Sequence, residues 1–282
     1  MSSRRTFLRQ LGGAVALGTL ATTAGCTVPP WIQAGASGSG FETRETALSR
    51  DTFDDYVARM ADRYGDGGVW GLGDEPDDAD TTFVGAWTRQ LTTGDGHDDG
   101  TGTLILADFA VVCHRLGPRD DADGQRHRYW LWAAAAPTAS PTADIPFGRR
   151  SVTPELRTLG VGVAFSDDSI RATSPDRPVT TPGVVDLAAV SSGSDGLVGR
   201  FPLATGTVQP EASVTWDGDD GETDTEGDDA GTDTDGYAVE WTGRHRGSQS
   251  LNAVCLTVRP ADADPETVSF TMGSRLAAVG YL

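Results

Sequence analysis

Short apolar runs, each broken by Gly, Pro or Asp, recur along most of this chain, and only one stretch carries a helical stripe. Runs of that length and spacing read as strands, and many of them must pair face to face or close on themselves. The runs are Thr82–Leu91, Thr103–Leu116, Arg126–Ala135, Leu159–Phe165, Gly183–Val190, Ser213–Asp217, Tyr237–Thr242, Ser250–Arg259 and Thr267–Met272. The helical stripe is Phe53, Tyr56, Val57, Met60, Ala61 and Tyr64, spaced i, i+3, i+4, i+7, i+8, i+11. Ser49 or Asp51 can cap its start, and Gly65 suits its end. The expected fold is mainly β, a sandwich- or barrel-like antiparallel domain with one N-terminal amphipathic helix; the alternative is α+β. No repeat of fixed period argues for a propeller or solenoid.

Charge narrows the chemistry. The 282 residues carry 22 basic and 41 acidic side chains, a net of −19. All 22 basic residues are arginine, and 32 of the 41 acids are aspartate. Without lysine there is no Walker A loop, no Schiff-base lysine and no Ser-x-x-Lys site. His-Glu-x-x-His, Cys-x-x-Cys, Gly-x-Ser-x-Gly and Gly-x-Gly-x-x-Gly are absent too. A surface this acidic repels nucleic acid. At molar salt the Debye length falls to about 3 Å, so such a surface stays hydrated without self-repulsion.

The first 26 residues read as an address. Arg4 and Arg5 stand in Ser3-Arg4-Arg5-Thr6-Phe7-Leu8, followed by the uncharged stretch Leu11–Ala21 and by Thr23-Ala24-Gly25-Cys26. The apolar stretch is too short to cross a hydrocarbon core that needs about 20 residues. In these motifs and in composition the chain resembles the twin-arginine-exported lipoproteins of salt-in halophiles. The resemblance covers the leader and the composition, and the body matches no recognised family. It implies a signal peptide over 1–25, lipid on Cys26, a membrane partner through that lipid, and a place on the outer face of the cytoplasmic membrane. Removing residues 1–25 would also remove Arg4, Arg5 and Arg9 and no acid, making the remainder more negative.

Residues 26–40 are Pro-, Gly-, Ser- and Ala-rich and read as the lipidated cysteine and a flexible tether. Residues 41–282 then form a single extracytoplasmic domain; Pro137–Pro154 is the best site for a boundary inside it. Asp217–Asp235 is an acidic loop with ten acids, and Asp74–Asp80 is a shorter one. Neither matches an EF-hand: with Gly236 at position 6, Gly231 and Thr242 fall at the ligand positions 1 and 12. Asp95-Gly96-His97-Asp98-Asp99 is equally far from a metal loop.

With Cys26 assigned to lipid, Cys113 and Cys255 remain. They are expected either to pair as a disulfide, as extracytoplasmic cysteines do, or to stay as two buried thiols. Ile105, Ala107, Phe109, Val111 and Cys113 share one apolar strand face. On the other face Asp108 and His114 stand about 20 Å apart, too far for a catalytic pair. A copper site is disfavoured because Cys113 and His114 are adjacent and mid-chain. Arg128, Trp130 and Trp132 alternate along one face, either as buried packing or as an exposed sugar-stacking row. No catalytic residue, metal or cofactor is marked. The expectation is a non-catalytic binding or assembly module, with a secreted hydrolase of scattered site as the alternative.

Overall fold

Ser49 caps the one helix, α1 (Arg50–Tyr64), accepting a hydrogen bond from the Thr52 amide. Gly65 ends it at φ +77°, a conformation that glycine adopts without strain. Phe53, Tyr56, Met60 and Tyr64 are its buried face, as the stripe predicts. In the computed structural model residues 31–73, 81–93, 103–117, 124–139, 141–145, 148–188, 197–212, 235–260 and 267–281 are described. Arg4, Arg5, Cys26 and the tether up to residue 30 lie outside them. So do the expected strand 213–217, the acidic loop over 217–234, and the segments 74–80 and 95–99.

The strands are β1 (Trp31–Thr43), β2 (Thr82–Thr93), β3 (Ile105–Arg115), β4 (Gly124–Pro137), β5 (Thr142–Ile145), β6 (Gly148–Ser151) and β7 (Thr153–Phe165). They continue with β8 (Ser169–Ser174), β9 (Val179–Ala188), β10 (Leu197–Ala212), β11 (Asp235–His245), β12 (Gln249–Pro260) and β13 (Ser269–Tyr281). One sheet runs β1-β13-β7-β11-β10-β9 and the other β2-β3-β4-β12-β8; β5 and β6 form a separate hairpin. Every pairing between these strands is antiparallel, and the two sheets pack as a β-sandwich. The Pro-rich stretch 137–154 is where the chain leaves the five-stranded sheet for the six-stranded one.

Between the sheets the aromatic rings meet edge to face or tilted. Trp87 and Phe270 have centroids 4.8 Å apart, as do Tyr129 and Phe165. The outer face of the five-stranded sheet is covered by α1, with Trp132 at 6.4 Å from Tyr56 and 6.0 Å from Tyr64. β3 is therefore buried on both faces, which explains its nearly unbroken apolar sequence.

One expectation is corrected. Residues 31–40 are not tether but most of β1, which pairs with β13 from Trp31↔Tyr281 to Thr43↔Ser269. Backbone hydrogen bonds hold this edge strand, so it needs no apolar side chains. At Gly40 an added Cβ would meet the Arg89 guanidinium, which would have to shift.

Candidate functional site

Asp108 is the one acid in the middle of β3, on the face beneath α1. Its side chain is only 4% exposed. Strand register sets Gln90 opposite it, and Gln90 Nε2 donates to Oδ1 at 2.8 Å. The last turn of α1 supplies the other two partners. Tyr64 Oη donates to Oδ2 at 2.7 Å, and Arg63 Nη1 donates to the same oxygen. Burial first, and then the Asp108 hydrogen bond, push the Tyr64 phenol above its ordinary range; burial does the same to Tyr56. Both phenols stay protonated at neutral pH and serve as donors. Tyr56 Oη reaches the Phe109 carbonyl at 3.4 Å.

Beside this network a pocket of about 400 Å³ opens between α1 and the edge strand β2. Tyr56, Arg59, Met60 and Arg63 form its helical wall, and Thr88, Gln90 and Asp108 lie across from them. Arg89 also borders it, but its guanidinium is engaged between the sheets, with Glu42 at 3.5 Å and the Met272 carbonyl at 3.3 Å. No serine, histidine or cysteine is among the lining residues.

A second carboxylate, Asp168, sits in the turn before β8, with its side chain fully buried. Arg259 Nε donates to Oδ1 at 2.7 Å and Thr257 Oγ1 donates to Oδ2 at 3.1 Å. His127 Nδ1 stands 3.9 Å from Oδ2, beyond hydrogen-bonding distance. Burial lowers the His127 pKa to about 4, assisted by Arg259 and opposed by Asp168. The imidazole is neutral at pH 7, so this centre holds one positive and one negative charge.

No protein-family model matches the chain, and no curated protein matches it. Among solved structures, Clostridium perfringens delta-toxin is similar over 74% of this chain and 91% of that one, at 8% identity and a TM-score of 0.37. At that level the likeness carries no argument.

Cys113 and Cys255 are buried and free, which corrects the disulfide expectation. Tyr129 of β4 is the register partner of Cys255 on one side and of Cys113 on the other. Two strand spacings put the cysteine Cα atoms about 10 Å apart, and a disulfide spans no more than about 7 Å. Burial raises both thiols above their ordinary pKa, so neither is a ready nucleophile.

Asp108 and His114 remain separate, the one opposite Gln90 and the other opposite Phe83. His114 lies edge-on to the Phe83 ring, and burial lowers its pKa to about 4. The Arg128-Trp130-Trp132 row is packing, not an exposed platform. Trp132 Nε1 donates to the Gly68 carbonyl at 2.8 Å and Trp130 Nε1 to Asn252 Oδ1 at 3.0 Å. Among the described residues no three His, Cys, Asp or Glu side chains gather to hold a metal ion, and no helix is long and apolar enough to cross a membrane. Sequence reasoning passed over Arg59, Arg63, Gln90, Asp168 and Arg259. The one available signal was Asp108 itself, an acid inside an otherwise apolar strand.

Proposed function

We propose that this chain is a lipid-anchored, extracytoplasmic binding protein of a salt-in halophile that holds a small solute in the pocket beside Asp108. The leader motif with Arg4 and Arg5, Cys26 behind its short apolar stretch, and the lysine-free acidic composition support the location. The observation that carries the binding reading is the bonding of Asp108. Its two oxygens accept from Arg63, Tyr64 and Gln90, so the pocket's one carboxylate is fixed as an acceptor rather than poised as a base. The surrounding walls combine guanidinium, amide and hydroxyl groups with the apolar surfaces of Tyr56 and Met60, a lining suited to recognition.

The test is a panel of small solutes added to the protein from residue 27 onward in constant molar sodium chloride, read by thermal shift and followed for turnover by NMR. Binding without product, abolished by Thr88→Trp, is expected. Conversion of a panel member into product would establish the hydrolase alternative instead. The anchor is tested separately: a lipid precursor should label the wild type and not Cys26→Ser, and equal labelling would overturn it.

A further inference from the structure

We infer that the pocket takes a small hydroxylated carboxylate, with its carboxylate group held by Arg59 and Arg63; this inference rests on the pocket being the functional site. The two arginines are one helical turn apart, on the same face of α1. Like charges at that spacing repel. Arg63 is paired with Asp108, whereas Arg59 has no ion pair among the described residues. Asp55 and Asp62 stand within helical reach of Arg59, at i−4 and i+3. Arg59 forms no ion pair with either. Its guanidinium lies over the Tyr56 ring at 5.8 Å, at the pocket wall. A chain of net charge −19 thus sets a cation with no ion-pair partner among the described residues at the wall of a pocket.

A planar guanidinium pairs with a carboxylate through two parallel hydrogen bonds, a geometry that chloride cannot match. That preference matters for a protein bathed in molar chloride. The rest of the pocket defines the body of the ligand. Tyr56 and Met60 offer an apolar wall, while the polar side chains of Thr88 and Gln90 line the opposite side and can meet hydroxyl groups. A uronic acid has this pattern, whether free or at the end of an acidic polysaccharide.

Calorimetric titration at constant molar salt tests the idea with glucuronate, its methyl glycoside and the uncharged isostere glucuronamide. Glucuronate should bind, with glucuronamide weaker by about tenfold or more, the loss expected for a charge-assisted pair. Arg59→Gln should weaken glucuronate to a similar degree without moving the unfolding midpoint. Equal binding of the methyl glycoside supports a polysaccharide end, and its exclusion supports the free acid. Equal affinity for glucuronate and glucuronamide, or an unchanged affinity in Arg59→Gln, would overturn the carboxylate assignment. If Thr88→Trp still abolished both, the pocket would stand as a binding site for a neutral ligand. Absence of any glucuronate binding overturns the inference, and the wider solute panel then decides whether the pocket binds anything.

Discussion

Asp108 and Asp168 are both buried carboxylates, yet they are finished differently. Asp168 is sealed at the end of the inter-sheet core, against an arginine that is 2% exposed. Asp108 is sealed on the sheet side only. Its arginine comes from the helix and is 39% exposed, and the pocket opens beside it. An ion pair with both partners dry locks the fold; one with a wet partner leaves a charged rim that a ligand can use.

The largest test of that contrast is Asp168→Ala. It strands the Arg259 charge in the core and should cost about 3–5 kcal/mol by chemical denaturation. A loss no greater than that at a surface position would mean that water reaches the centre. Asp108→Ala should cost less, about 1–3 kcal/mol, because Arg63 can turn to solvent while Tyr64 and Gln90 lose an acceptor. If the two variants were equally destabilised, the distinction between a dry and a wet pair would fail.

Acid should separate the two regions further. The folded-state pKa of His127 lies near 4, below its ordinary 6.5, so the unfolded chain binds the proton more readily. The stabilisation is complete above about pH 6.5 and is lost as pH falls towards 4. His114, beneath the helix but away from the pocket, adds a loss of the same sign. His127→Phe should shrink the pH dependence of stability in that window, by an amount on the order of 1–3 kcal/mol. An unaltered slope would show that the imidazole is solvated. The smallest expected effect is that of reductant. Because Cys113 and Cys255 are free thiols, dithiothreitol should leave the unfolding midpoint unchanged, and a fall would reveal a disulfide.

Strong periodicity was legible in the sequence. The helix with its Ser49 cap and Gly65 end, and the apolar strands β3, β4 and β12, announce themselves by burial. β1 did not, because Gly, Ser and Ala carry no apolar signal, and its place is set by pairing with β13. β10 was hidden by Pro202 and Pro210, which break its pattern although it lies between β9 and β11. Asp168 was invisible for another reason: Ser166-Asp167-Asp168-Ser169 looks like any acidic surface turn. Its burial comes from β12, whose Thr257 and Arg259 are distant in sequence. The disulfide reading erred because spacing gives strands but not their order, and here β4 intervenes.

The pairing of β1 with β13 also sets an order in time. The first described strand is fastened by the last, so it must wait for the whole intervening chain before its hydrogen bonds can form. Closing so long a loop is entropically costly and is deferred until the other strands have assembled. β1, an edge strand, can therefore take its place in the sandwich only once β13 is there to receive it. A loose β1 would mark an unfinished molecule, and the first described strand reports that the last has arrived.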